Sequence, residues 1–267
     1  MKRIASADNR YFKMLLRLTR SSRECNRNGL TLLDGVHLAL AYREYGGVPE
    51  RVLVNDSALN DPELQTLIGS YAPDQAWTLS DALFKRLSTV ETPTGILTLI
   101  RIPRLPSQAS ASRPCVMLEN IQDPGNVGSI LRSAAAAGIA DICLSTGCAY
   151  PWAARVLRAA MGAHFILNIY EDVDLLAHAR SFTGRVLTFS PHAERSIYEA
   201  DAQGTVAFVF ANEGAGLTPE LDEIPHQPLA IPMMGAVESL NVAAAAAVCL
   251  FERVRQSARR AGSDPRK

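Results

Sequence analysis

Apolar positions follow two periods along this chain. Near the N-terminus Tyr11, Met14, Leu15 and Leu18 recur at the i, i+3, i+4, i+7 spacing of one helical face, which predicts a helix from about Ala7 to Arg20 with Ser6 as its cap. Residues 30–101 then alternate short patterns. A helix follows Asp34-Gly35, an apolar strand covers about Arg51 to Val54, helices fall near Asp61 to Gly69 and Asp81 to Leu87, and a strand runs from about Gly95 to Ile100. From Pro103 to Pro114 the chain is rich in Pro, Ser and Ala and has almost no apolar periodicity, as a linker would be. Alternation then resumes, with strands near 115–119, 141–144, 165–169, 186–189 and 206–210. Helices separate them near 127–137, 153–161 and 173–180, and a last helix covers about 241–260.

The pattern predicts an α/β chain. A small α/β domain covers 1–102, a linker 103–114, and a second domain 115–267, whose strands separated by helices imply a mainly parallel sheet with helices on both faces. Ligands of such sheets lie outside the carboxyl ends of the strands, so the loops after Glu119, Phe210 and Ile231 are where chemistry is to be sought.

Length agrees with two domains, since 267 residues exceed the roughly 150 of one average domain. Hydrophobic residues at 48% and charged residues at 20% exclude wholesale disorder. No apolar run approaches the roughly 18 residues of a membrane span, and Met1 to Ser6 lacks a signal peptide's apolar stretch, so the expected location is cytoplasmic. Five scattered cysteines, Cys25, Cys115, Cys143, Cys148 and Cys249, show no C-x-x-C pair or zinc spacing and read as reduced, mostly buried thiols with no metal.

Charge changes the picture more. Net charge is zero from 27 basic and 27 acidic residues, yet both chain ends are basic. Residues 1–29 carry eight Lys/Arg against Asp8 and Glu24. Arg10, Lys13, Arg17 and Arg20 form a second face on the first helix, which reads either as solvated surface or as a phosphate-contacting stripe.

Three loops can carry chemistry. The first, Glu119 to Ala134, contains Asp123-Pro124-Gly125-Asn126, turn residues that open a helix whose free N–H groups could receive an anion, with Arg132 about a turn inside. An ordinary strand-to-helix turn with a surface arginine is its plain reading, and neither a dinucleotide fingerprint nor a P-loop lysine is present. The second, Ala211-Asn212-Glu213-Gly214-Ala215-Gly216, leaves an apolar strand and sets a carboxylate among small residues that allow close backbone approach. The third, Ile231-Pro232-Met233-Met234-Gly235-Ala236-Val237-Glu238-Ser239-Leu240-Asn241-Val242, enters the last helix through Ser239, plainly an N-cap, followed by the alanine run Ala243 to Ala247.

In order, D-P-x-N-x-G-x-x-x-R, N-E-G-x-G and I-P-M-x-G-x-x-x-S-L-N-V resemble the three motifs of the SpoU (TrmH-like) family of RNA ribose 2′-O-methyltransferases, in the SPOUT or α/β-knot superfamily. The resemblance covers residues 114–255 and includes Arg158-Ala159-Ala160-Met161-Gly162-Ala163. Leu33-Asp34-Gly35-Val36-His37 and Thr92-Pro93-Thr94-Gly95-Ile96-Leu97 are similar to the L30e-like substrate-binding domain of some members.

The resemblance implies a homodimer with a C-terminal trefoil knot that transfers a methyl group from S-adenosylmethionine to a ribose 2′-hydroxyl of structured RNA, ribosomal RNA being favoured over transfer RNA. It assigns catalytic roles to Asn126, Arg132, Glu213, Ser239 and Asn241. It assigns cofactor contacts to Ala211, Asn212, Gly214, Gly216, Ile231, Pro232, Met233, Ser239, Leu240 and Asn241. Ala211 departs from the family, where glycine is common. In-line methyl transfer needs positioning and no metal. A guanidinium has five donors and no acceptor, so Arg132 is expected to clamp the neighbouring phosphate, while phosphate oxygen, water or a transiently neutral Arg132 stay open as proton acceptors. Glu213 is expected to fix Arg132 or Asn126. Arg10, Lys13, Arg17 and Arg20, with Arg132, become the expected RNA contacts. Two other readings stand beside this one: an inactive RNA-binding protein retaining the fold, and a nucleotide-binding α/β enzyme, which rests on fold analogy alone.

Overall fold

A computed structural model describes residues 1–45, 47–105 and 108–261; Pro106 and Ser107 of the expected linker, and Arg266 and Lys267 of the basic C-terminus, lie outside the described residues. In chain order the elements are β1 (Lys2–Ile4), α1 (Arg10–Arg20), α2 (Ser22–Asn28), β2 (Leu30–Asp34), α3 (Val36–Glu44), β3 (Arg51–Asn55), α4 (Pro62–Gly69), β4 (Ala76–Leu79), α5 (Asp81–Leu87) and β5 (Ile96–Arg101). They continue with β6 (Cys115–Glu119), α6 (Pro124–Ala136), β7 (Asp141–Leu144), α7 (Ala154–Ala160), β8 (Asn168–Tyr170), α8 (Leu175–Ser181), β9 (Arg185–Phe189), β10 (Val206–Ala211), α9 (Pro219–Asp222), β11 (Gln227–Leu229) and α10 (Val242–Ala261). The chain divides into two compact units, Met1–Arg104 with Trp152–Phe165, and Leu105–Pro151 with Ile166–Lys267.

The first unit holds a mixed sheet ordered β1-β4-β3-β5-β2, parallel across β1, β4 and β3 and antiparallel at β5 and β2. Strand side chains alternate between faces, so Val52 and Val54 of β3 pack with Ala39 of α3 and Leu64, Leu67 and Ile68 of α4. On the other side α1 meets β2, and α5 meets β3 and β4. The first helix begins later than its periodicity predicts. Asn9, not Ser6, is its cap, accepting from the amides of Tyr11 (2.8 Å) and Phe12 (3.3 Å), because the chain turns at Ala7 and Asp8. Its buried stripe is Phe12, Leu15 and Leu18, while Tyr11 and Met14 are half-buried. Arg10, Lys13, Arg17 and Arg20 all face solvent.

Segment 152–165 groups with this unit instead of with its neighbours in sequence: α7 lies on β2, the Thr31 hydroxyl donates to the Trp152 carbonyl (2.9 Å), and His37 Nε2 lies 3.2 Å from the Met161 carbonyl. The R-A-x-x-G-A stretch therefore sits in the N-terminal unit, a departure from the expected span of the second domain.

The second unit is a six-stranded, all-parallel sheet ordered β11-β9-β10-β6-β7-β8. One face buries Met117, Cys143, Tyr170, Val186, Ala207 and Val209 with Leu175 and Ala179 of α8 and Leu221 of α9. Helix α10 lies against α6 and β10, and its Ala246 is fully buried. The second half of the expected linker is bonded into this unit, as the Ala111 carbonyl accepts from Thr183 N (2.9 Å) and the Ser112 carbonyl from the Thr205 hydroxyl (3.3 Å). All five cysteines are free thiols; burial pushes Cys25 up to about 11, which keeps it protonated and unreactive at neutral pH.

Strand order places the site. The chain runs from β6 outward to β7 and β8, then returns to the far side of β6 through β9 and β10. Chain direction through the sheet thus reverses between β6 and β10, and the loops leaving their carboxyl ends border the crevice where ligands of open parallel sheets bind.

Candidate active site

Strands β6 and β10 end level with each other, Glu119 paired with Ala211. Beyond β6 the backbone turns at Asn120, which adopts a left-handed φ of 54°, a conformation asparagine tolerates better than most residues. Asp123 then caps α6 through its side chain, accepting from Asn126 N (2.8 Å), with Pro124 in the first turn, where a missing N–H costs nothing. Asn126 is thereby fixed in the first turn of α6.

Beyond β10, Asn212 folds its own turn. Its Oδ1 accepts from Gly214 N (2.9 Å) and Ala215 N (3.3 Å), and its carbonyl accepts from Gly216 N (2.9 Å). Gly216 has φ 67°, which explains a glycine there. Asn212 Nδ2 also donates across to the Asn120 carbonyl (3.3 Å), joining the first two loops.

The third loop meets both through Asn241. Its Nδ2 donates to Asn126 Oδ1 (2.9 Å) and Glu213 Oε1 (2.9 Å), while its Oδ1 caps α10 at Ala243 N (3.1 Å) and Ala244 N (3.4 Å). Glu213 Oε1 also accepts from Val242 N (2.7 Å), so the carboxylate lies at the positive end of a long helix. Asn126, Glu213 and Asn241, far apart in sequence, are one hydrogen-bonded cluster.

Three expectations are revised. Asn241, not Ser239, caps α10, because the third loop bends at Gly235, Ala236 and Glu238 and the helix starts only at Val242. Ser239 is exposed and has no hydrogen-bond partner among the described residues. Glu213 does not hold Arg132: its bonds go to Asn241 and Val242, and it reaches Asn126 through Asn241. Arg132 lies six residues along α6 from Asn126, about 9 Å along the axis, and is exposed without a hydrogen-bond or ion-pair partner among the described residues.

The remaining expected cofactor positions differ in burial. Ala211 and Asn212 are half-buried, Gly214 and Gly216 exposed, Ile231 and Met233 half-buried, and Pro232 and Leu240 exposed. Glu119 and Thr218 are two residues that sequence reasoning passed over. Glu119 is 5% exposed and receives Thr218 Oγ1 (2.8 Å) and Thr218 N (3.2 Å). An acid closing the apolar run Cys-Val-Met-Leu-Glu was the available signal, since a buried carboxylate must find donors.

The donor set fits S-adenosylmethionine. Residues 211–217 and 231–241 offer backbone groups, small side chains, the apolar Met234, Val237 and Leu240, and the carboxylates Glu213 and Glu238, with no Lys or Arg. Such walls suit an adenosine joined to a cationic sulfonium.

The family model described as the SpoU rRNA Methylase family matches residues 113–251, just over half of the chain and all three loops. The chain belongs to this family. A relative, the 23S rRNA (guanosine(2553)-2′-O)-methyltransferase RlmP of Bacillus subtilis (strain 168), is 31% identical over 258 residues, covering 94% of this SpoU-family chain and 98% of the relative. Among solved structures, an RNA 2′-O ribose methyltransferase superposes with a TM-score of 0.81 at 29% identity, over 96% of this chain and 99% of the other. An AdoMet-bound rRNA methyltransferase from Sinorhizobium meliloti shares the fold, with a TM-score of 0.80 at 22% identity, over 96% and 98% of the two chains.

Proposed function

We propose that this SpoU-family enzyme methylates a ribose 2′-hydroxyl of structured RNA with S-adenosylmethionine as donor, ribosomal RNA being the substrate class. The observation that carries the reading is the union of Asn126, Glu213 and Asn241 at the β6/β10 crevice, because it draws all three motif loops into one site. Similarity to RlmP over nearly the whole of both chains supports ribosomal RNA. The nucleotide-binding alternative draws no support from this constellation, and the intact cluster speaks against an inactive relative.

When bound, S-adenosylmethionine supplies an electrophilic methyl group on its sulfonium. The chain supplies positioning. Glu213 and Asn241 hold the second and third loops in register, and Asn126 ties them to the start of α6. Arg132 presents an exposed guanidinium fork suited to the phosphate beside the target ribose, where a cation lowers the hydroxyl's pKa. Ser239 offers a hydrogen bond to loop or ribose, whereas the Asn241 amide is already engaged in holding the loops together. The exposed stripe Arg10, Lys13, Arg17 and Arg20 supplies phosphate contacts.

The same proposal includes an L30e-like fold for the first unit, a trefoil knot in the second, a homodimer and a cytoplasmic location. Ribose-methylation mapping of total RNA from cells with and without the protein tests it. One ribosomal site lost with the protein is expected; an unchanged map would refute the reading, and a lost site in transfer RNA would correct the substrate.

A further inference from the structure

Glu119 has an unusual position for an acid. It closes the central strand β6, is 5% exposed, and has no cationic partner among the described residues. A buried acid needs hydrogen-bond partners, and here each oxygen has one: Oε1 receives the Thr218 hydroxyl (2.8 Å) and Oε2 the Thr218 amide (3.2 Å). Its backbone carbonyl accepts from Asn212 N (3.1 Å). One residue therefore grips both ends of the turn from Asn212 to Thr218.

Inside that turn the bonds are local to its first half, where Asn212 binds Gly214, Ala215 and Gly216. In the second half, Leu217 packs against the cluster that holds Leu221, and the Thr218 carbonyl accepts from Leu221 N (3.1 Å) and Asp222 N (3.0 Å), while Glu119 supplies the side-chain link from Thr218 to β6. We propose that Glu119 is a positioning residue that staples the cofactor loop shut through Thr218, acting on S-adenosylmethionine affinity without touching the reacting atoms. This rests on the assignment of residues 211–216 to cofactor contact made above. Glutamine is a poor substitute, since its amide has one acceptor and must turn its NH₂ toward one of two Thr218 donors. Glu213 keeps its separate tether on Asn241 and Val242, so loosening the Thr218 end reaches cofactor binding before it reaches the catalytic cluster.

The test compares Glu119→Ala, Glu119→Gln and Thr218→Val with the parent protein by calorimetry with S-adenosylmethionine, steady-state kinetics and amide hydrogen exchange of the cofactor-free chain. Glu119→Ala is expected to raise both Kd and KM for S-adenosylmethionine about tenfold, with kcat changed less than about twofold. Gly214, Ala215 and Gly216 amides should exchange about tenfold faster without cofactor. Glu119→Gln and Thr218→Val should fall between. A folded Glu119→Ala protein with parental affinity and exchange would overturn the proposal, as would a loss confined to kcat. If Glu119→Ala does not fold, Thr218→Val decides, because it keeps the carboxylate and removes one bond; unchanged exchange there overturns the staple. Failure of the parent to bind S-adenosylmethionine would instead sink the proposed function, while the exchange result would still judge the staple.

Discussion

At the scale of single residues the site depends on where lone pairs go. Glu213 accepts two bonds on one oxygen, from Asn241 Nδ2 and Val242 N. A glutamine can present the same oxygen, an alanine cannot. Glu213→Gln is therefore expected to retain most of the parental kcat and Glu213→Ala to lose about a hundredfold, measured as single-turnover methyl transfer to RNA. Equal activity in the two variants would remove the orienting role. Asn241 combines that link with a helix cap, so Asn241→Ala should cost about 1 kcal/mol of stability in denaturant titration as well as activity. Of the residues legible as catalytic, Asn126, Glu213 and Asn241 meet, whereas Arg132 and Ser239 face solvent. Motif spacing marks residue types and order. It does not show which donor reaches which acceptor, because that depends on loop paths joined across more than a hundred residues.

At the scale of elements, strong periodicity was legible and short or polar segments were not. The expected strand near 115–119 is β6, and the last helix begins one residue after its expected start. The polar helix α2, with Cys25 as its buried residue, has no periodic face to read and is held by the Ser21 cap. Strand β4 is four residues whose partners β1 and β3 lie elsewhere in the chain. Two predictions belong here. Replacing Arg10, Lys13, Arg17 and Arg20 together with alanine should weaken RNA binding and flatten its salt dependence by up to about 0.9 in slope per lost phosphate contact; an unchanged slope would end that assignment. In α10 the guanidinium of Arg255 holds the Glu252 carboxyl below its ordinary value of 4.5, through bonds of 2.7 and 2.6 Å. A lowered folded-state pKa stabilises the chain fully above the unfolded value, and that contribution disappears as pH falls through the folded one. The melting temperature of the parent should thus fall more steeply below about pH 4.5 than that of Glu252→Gln, in which the titrating group is gone.

At the scale of the whole molecule, the proposed homodimer predicts a sedimentation-equilibrium mass of twice 28.9 kDa, and a monomer at micromolar concentration would refute it. The sequence by itself determined the α/β class, the three loops, the basic first helix and the family, because these depend on local periodicity and on residue types at short spacings. Tertiary structure alone decided that β10 returns beside β6, that 152–165 joins the N-terminal unit, that Asn241 caps α10 while binding both other loops, and that Glu119 holds Thr218. Each of these joins positions distant in the chain, and such contacts form only once strand order and packing have brought the positions together. Periodicity shows which face of an element is buried, but not which element covers it.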